Sequence, residues 1–137
     1  MSYQKEIVTA IRQRRDDNST ESEELLDVTN AINFGDVSSK IKDDYVTYRI
    51  ITSQHEQTFT SYIENSLVQF DVFSTSEGNC LNIMGKLEAV YDDADLSINK
   101  YEQIECTREN ENFVGREDDT GLYHYYVEYD INVETNK

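Results

Sequence analysis

The sequence predicts an α+β fold, in which a mostly antiparallel sheet of about four or more strands carries an N-terminal helix and a second helix on one face. Several segments alternate apolar and polar residues with the period of two that is typical of strands. Two other segments repeat apolar residues at helical spacing. The length of 137 residues, of which 37% are hydrophobic, fits one domain over residues 1–137 with a thin core.

Two segments have the pattern of amphipathic helices. Residues 3–15 place Tyr3, Ile7 and Ile11 on one stripe, and three arginines near the end suit the helix dipole. After Phe73 the period changes, and Ser74 with Glu77 forms the pattern of a capping box. The helix that follows carries one apolar stripe: Cys80, Ile83, Met84, Leu87, Val90 and Tyr91. Gly85 falls near this stripe, and close approach to a strand would explain a glycine there.

Four segments have the pattern of strands: residues 45–54, 67–74, 100–110 and 122–133. In the last of these, every second residue from Tyr123 to Val133 is apolar or aromatic, while His124 lies on the other face. The connecting segments are polar. Residues 16–28 predict an acidic loop with a short helical turn over 22–28, and 31–44 predict irregular or short extended structure. Residues 55–65 and 109–120 predict hairpin arms or loops, the second with Gly115 and Gly121 as turn residues.

The charge of the chain argues against specific nucleic-acid binding. The formal net charge is −16, with 12 basic and 28 acidic residues, whereas phosphate binding needs a basic patch. A protein past which DNA merely slides, or one that imitates DNA, would suit this charge. No stretch approaches the roughly 20 apolar residues of a membrane span, and the N-terminus lacks a signal-peptide pattern. Cys80 and Cys106 are expected to be buried thiols in a reducing compartment.

The sequence offers no positive sign of enzymatic chemistry. It contains no phosphate-binding glycine loop, dinucleotide fingerprint, zinc-protease motif or nucleophile elbow. His55 and His124 fall in separate elements, and the aspartates that follow Tyr91 do not complete a calcium loop. We therefore predict that the chain has no catalytic residues, no metal site and no cofactor, and that it is not an enzyme.

The arrangement of several segments resembles the tail terminator proteins of long-tailed bacteriophages, also called tail completion or tail-to-head joining proteins. The segments are YQKEIVTAI, INFGDVSSKIKDDYVTYRI, LVQFDVFSTSEGNCLNIMGKLEAVYDD and the closing strand LYHYYVEYDINV. The resemblance covers nearly the whole chain but is one of pattern. Many members have a proline before the strand of the YVTY type, whereas Asp43 and Asp44 stand there in this chain.

The resemblance implies a virion structural protein that forms a hexameric ring at the head-proximal end of the tail, after assembly in the host cytoplasm. Its expected partners are further copies of itself, the major tail protein and the head connector proteins. The ring would cap the tail tube, stop its polymerisation and join the tail to the head. Genome DNA would pass through the lumen without specific binding, and no membrane would be involved.

Five residues are candidate contacts with other subunits, the tail or the connector. Phe59, Tyr62 and Phe113 are aromatic residues in polar segments, and aromatic residues are enriched at interfaces. Folding back onto the chain's own core is the alternative for each. Arg108 and Arg116 are cations in an acidic region, and they would form ion pairs either between subunits or within one. Two other functions remain open: a head-completion or connector protein of the same virion, and an acidic inhibitor that mimics DNA.

Overall fold

The computed structural model describes residues 4–17, 19–28, 31–34, 44–94, 96 and 103–136. The described residues form three helices: α1 (Gln4–Arg15), α2 (Thr20–Val28) and α3 (Glu77–Tyr91). They also form five strands: β1 (Ala31–Phe34), β2 (Tyr45–Gln57), β3 (Ser61–Ser74), β4 (Gln103–Arg116) and β5 (Tyr123–Asn136). The predictions for Tyr3, for residues 35–43 and for residues 100–102 lie outside the described residues.

The strands form one sheet in the order β1-β2-β3-β5-β4. Strand β1 runs parallel to the start of β2, and the other three pairs of neighbouring strands are antiparallel. Two long hairpins, β2–β3 and β4–β5, supply most of the sheet, and β3 joins them by pairing with β5. The predicted α+β fold with a mostly antiparallel sheet and an N-terminal helix is confirmed.

The core lies between one face of the sheet and the helices. Phe70 is fully buried at its centre and contacts Tyr48, Tyr91 and Tyr129 at ring distances of 4.9 to 5.8 Å. All six residues of the predicted stripe on α3 are buried. Two hydrogen bonds of 2.9 Å join α1 to α3, because the Tyr91 hydroxyl donates to the Ile11 carbonyl and Arg14 Nε donates to the Val90 carbonyl. Both helices therefore cover the same face.

The strand–helix corner differs from the predicted capping box. The N-cap of α3 is Ser76, whose hydroxyl accepts a hydrogen bond from the Asn79 backbone amide at 3.2 Å. Ser74 is instead the last residue of β3, and its hydroxyl donates to Asp44 Oδ1 at 2.5 Å. The Asn79 side chain donates to the other oxygen of Asp44. The prediction of Ser74 as the cap is therefore wrong, because Asp44, which precedes β2, engages its hydroxyl.

The acidic segment before the sheet is a helix rather than a loop. Helix α2 begins at Thr20, earlier than the short turn predicted over 22–28. The hydroxyl of Ser19 accepts a hydrogen bond from the Ser22 amide at 3.3 Å, and Leu25 is fully buried in the core. Lys86 on α3 lies 3.1 Å from Glu24. The tertiary contacts of one face therefore stabilise a helix that is rich in acidic residues.

The two polar segments proposed as contact loops are largely strand. Strand β2 continues to Gln57, a turn occupies residues 58–60, and β3 begins at Ser61, so residues 55–65 form the end of the β2–β3 hairpin. We call this hairpin end the arm; its β3 half also pairs with β5. Strand β4 continues to Arg116, so only residues 117–120 of the segment 109–120 lie outside a strand. Gly121, with φ +70°, follows this turn as predicted, whereas Gly115 lies at a register shift within β4. Cross-strand pairing extends both hairpins through polar sequence.

Candidate functional site

The thiols of the chain are buried and poorly reactive. Cys80 and Cys106 are both free and buried, as predicted. Burial raises the pKa of the Cys80 thiol to about 11, and it also raises the pKa of the Cys106 thiol. Since the thiolate is the nucleophilic form, neither cysteine is activated at neutral pH.

His124 is part of a packed cluster on the sheet face opposite the helices. Its Nε2 atom lies 2.7 Å from Asp71 Oδ1, and Gln69 donates a 2.8 Å hydrogen bond to the same oxygen. The imidazole stacks on Phe73 with a centroid distance of 4.2 Å, and Phe73 stacks on Tyr45. These contacts link β2, β3 and β5 and hold the imidazole in place. Among the described residues, no group of three or more His, Cys, Asp or Glu is placed to hold a metal ion.

The arm formed by residues 55–65 presents one aromatic side chain to solvent. Phe59 lies in its turn and is 99% exposed, so it does not fold back onto the core. The turn is held by Thr58, whose amide donates to the Ser61 carbonyl at 2.9 Å and whose hydroxyl accepts from the Ser61 amide at 3.0 Å. Tyr62, the next aromatic residue, is 38% exposed. Phe59 is therefore a large apolar group displayed on a hydrogen-bonded turn.

The base of the arm is fixed to the rest of the sheet. Glu64 is fully buried, and its Oε1 atom lies 3.2 Å from His55 Nε2 on the facing strand. The hydroxyls of Ser53 and Ser66 lie 2.9 Å apart across the same hairpin. These contacts indicate that the arm projects as a continuation of the sheet.

The two candidate arginines bind partners within the same chain. Arg108 Nη1 lies 2.5 Å from Glu88 Oε2 and 3.7 Å from Glu111 Oε2. Arg116 Nε donates to the Gly121 carbonyl at 3.2 Å, and its guanidinium lies 5.8 Å from the centre of the Tyr123 ring. Of the two alternatives for these residues, the structure shows contacts within one subunit.

A groove lies between α3 and β4, at one edge of the sheet. We call it the acidic groove; its volume is about 390 Å³, and its lining includes Leu81, Met84, Gly85, Glu88, Glu111 and Phe113. Leu81 and Phe113 are about half exposed, and Phe113 also contacts Tyr125 at a ring distance of 4.8 Å. A Cβ atom added to Gly85 would meet no atom within 4 Å. The close approach of a strand predicted for Gly85 is therefore wrong, since this glycine opens the groove.

The carboxylates of the acidic groove share one cation. Burial, followed by the hydrogen bond and the like charge of Glu111, raises the pKa of Glu88 to about 7, although Arg108 acts in the opposite direction. Asp92 also lies 3.5 Å from Arg108, and it accepts a 2.7 Å hydrogen bond from Tyr129. Glu88 and Glu111 of the groove and the neighbouring Asp92 thus surround one guanidinium, and this excess of negative charge attracts cations when Glu88 is ionised.

Replacing Glu111 tests the coupling between these groups. The change Glu111→Gln is expected to lower the pKa of Glu88 by about one unit, because it removes a like charge. Because the pKa of Glu88 is higher in the folded than in the unfolded protein, protonation of Glu88 stabilises the folded state. This stabilisation is complete at pH values below the ordinary pKa of 4.5, and it is lost as the pH rises through about 7. The variant should therefore lose less unfolding free energy over that range. Carboxyl-carbon NMR titration measures the pKa directly.

The matched control for this prediction is Glu109→Gln, since Glu109 is an exposed residue of the same strand. It should leave the pKa of Glu88 unchanged. If Glu111→Gln also left that pKa unchanged, burial alone would account for the shift.

A second groove lies between α1 and β2, near the opposite edge of the sheet. We call it the basic groove; its volume is about 530 Å³, and its lining includes Lys5, Val8, Arg12, Arg49 and Ile50. Three of the twelve basic residues of the chain line it. Lys5 and Arg49 are exposed and form no ion pair with a described residue. Positive charge is thus concentrated at one edge of an acidic protein.

Sequence reasoning identified the arm but missed both grooves. Each groove joins residues from elements that are distant along the chain, and a one-dimensional pattern does not show that juxtaposition. Two signals were present: Gly85 within a helix, and the concentration of cations on α1. Of the five candidate contacts, Phe113 lines the acidic groove and Arg108 binds two of its carboxylates, whereas Phe59 and Tyr62 lie on the arm. The structure does not bring all five together.

Comparison with known proteins finds a solved structure with a similar fold. No family model matches the chain, and no curated protein matches it in sequence. Among solved structures, the chain is similar to a chain of the virion of a native gene transfer agent (GTA) particle, with a TM-score of 0.70 and 11% sequence identity. The match covers 92% of this chain and 92% of that chain. The two chains therefore share a fold over nearly their whole length.

Proposed function

We propose that this chain is a non-enzymatic structural subunit of a bacteriophage virion, and specifically a ring-forming tail terminator. The observation that carries the proposal is the similarity in fold, over 92% of both chains, to a chain of a gene transfer agent virion. The sequence resemblance to tail terminators supports the finer assignment. In this role the ring, taken as a hexamer from the resemblance, caps the tail tube, stops its polymerisation and joins the tail to the head connector.

The arm supplies the means of binding the tube. Phe59 is fully exposed on a hydrogen-bonded turn, so its ordering costs little on binding, and burying it against the major tail protein would remove a large apolar surface from water. Tyr62 extends the same surface towards the base of the arm. The projecting turn engages the last ring of the tube, and the rest of the subunit leaves no surface on which the tube can extend.

The charge of the subunit fits a ring through which DNA passes. With a net charge of −16, acidic side chains around a lumen would repel the phosphate backbone and would not retain it. The ring is thus expected to let the genome slide through without specific binding. Assembly takes place in the host cytoplasm, and the finished ring stays in the virion at the head-proximal end of the tail.

Truncating Phe59 tests the proposal. The change Phe59→Ala is expected to weaken binding to tube ends by roughly 30-fold, the effect of losing a binding hot spot of about 2 kcal/mol. The measurement is negative-stain microscopy of tubes assembled from the major tail protein encoded in the same genome, with the fraction of capped ends counted over a range of subunit concentrations. Wild-type rings should cap one end and halt growth.

The matched control is Leu26→Ala, because Leu26 is also an exposed apolar residue but lies on α2, which is not part of the arm. It should cap as the wild type does. Wild-type protein that never associates with tube ends would contradict the tail terminator assignment. Binding to head connectors but not to tubes would favour the connector role, and salt-sensitive binding to a nuclease would favour a mimic of DNA.

A further inference from the structure

The acidic groove has the chemistry of a site for a lysine or arginine side chain. Its lining combines the apolar residues Leu81, Met84 and Phe113 with the carboxylates of Glu88 and Glu111. Long cationic side chains place their methylene stems on apolar surface while the charged head reaches a polar partner. The ring of Phe113 can also attract a cation through its face. The groove thus matches both parts of such a side chain.

The basic groove supplies that chemistry at the other edge of the same sheet. Lys5 and Arg49 are exposed, and neither forms an ion pair with a described residue. The strand order places β2 and α1 towards one edge and β4 at the other edge, and both grooves adjoin helices on the same face. Two surfaces of opposite charge therefore lie towards opposite edges of the subunit.

We propose that copies of this chain join edge to edge, with Lys5 and Arg49 of one copy entering the acidic groove of the next. The contact is heterologous, and such contacts form a closed ring when their rotation closes. The interface also covers β4, which among the described strands pairs only with β5 and would otherwise present an open strand edge. This inference deepens the proposed function by naming its subunit interface, and it rests on that proposal for the expectation of a ring.

Charge reversal at each edge tests the interface. Arg49→Glu and Glu111→Arg are each expected to weaken self-association by roughly 10-fold or more, since each brings like charges together. An equimolar mixture of the two variants should assemble with the variants alternating. Glu at position 49 of one variant then meets Arg at position 111 of the other, and the next contact joins the unchanged Arg49 and Glu111. Sedimentation velocity over a concentration series, at low and high salt, measures the assembly. Circular dichroism and thermal melting check that each variant folds.

The matched control is Glu23→Arg, which makes the same charge change at an exposed position of α2 and should not alter assembly. Wild-type protein that stays monomeric both alone and on tubes, or assembly that is indifferent to both reversals, would overturn the inference. Failure to recover assembly in the mixture would also overturn it.

The inference and the proposed function fail in different ways. Rings that respond to the charge swap but do not bind tube ends would support the interface and contradict the tail terminator role. Capped tubes whose rings ignore the charge reversals would support the role and overturn the interface.

Discussion

Phe70→Ala is expected to reduce the free energy of unfolding by about 3–5 kcal/mol, which is the usual cost of removing a fully buried phenylalanine. Phe70 has no exposed surface, and its ring contacts three tyrosines that come from β2, α3 and β5. Truncation leaves a cavity where these elements meet, and the surrounding tyrosines cannot fill it without breaking the hydrogen bonds of Tyr91 and Tyr129.

Urea denaturation followed by circular dichroism measures the effect, and Phe113→Ala is the matched control. Phe113 is half exposed, so its truncation should cost less than about 1 kcal/mol. A loss below about 2 kcal/mol in Phe70→Ala would mean that the core collapses around the cavity and is less rigidly packed than the structure indicates.

Asp44→Ala is expected to reduce the free energy of unfolding by about 2–3 kcal/mol, because it removes two charge-assisted hydrogen bonds from half-buried groups. One oxygen of Asp44 binds the Ser74 hydroxyl and the other binds the Asn79 side chain. Asp44 thereby connects the start of β2 with the end of β3 and the first turn of α3.

Chemical denaturation again gives the measurement for Asp44. Asp44→Asn retains one acceptor oxygen and should show a smaller loss than Asp44→Ala. Asp119→Ala, in the exposed turn after β4, removes a carboxylate without a comparable network and should change stability by less than about 0.5 kcal/mol. Equal stabilities of Asp44→Ala and Asp119→Ala would contradict the role assigned to Asp44.

The predictable part of the fold was the part in which burial dictates periodicity. The stripe of α3 and the alternation of β5 were both identified correctly, because one face of each element contacts the core. Cys106 was also placed inward correctly. In these elements the geometry of the helix or strand sets the spacing of the buried residues, so the spacing in a single sequence suffices to predict the element.

The errors arose where tertiary contacts decide the local structure. Helix α2 buries Leu25 in the core, and the sequence predicted only a short helical turn over 22–28 within an acidic loop. The outer parts of β2 and β4 are polar and exposed, so pairing across each hairpin extends them where composition suggested loops. The choice between Ser74 and Ser76 as cap depended on Asp44, which lies 30 residues from Ser74 along the chain.

The same distinction between predictable and unpredictable features applies to the candidate site. The exposed aromatic residue of the arm could be predicted, because an aromatic side chain in a polar segment is visible in the sequence. The grooves could not, because each depends on the side-by-side packing of a helix and a strand. The intramolecular partners of Arg108 likewise come from α3 as well as from its own strand.

The strand order also has a consequence for how the chain folds. The β2–β3 and β4–β5 hairpins close over short turns and can form within microseconds, whereas the pairing of β3 with β5 must close a long loop that contains α3 and β4. The centre of the sheet should therefore assemble last, and its rate should be limited by this non-local closure. Until then each hairpin exposes unpaired strand edges, and the charge of −16 would keep newly made chains apart during that interval.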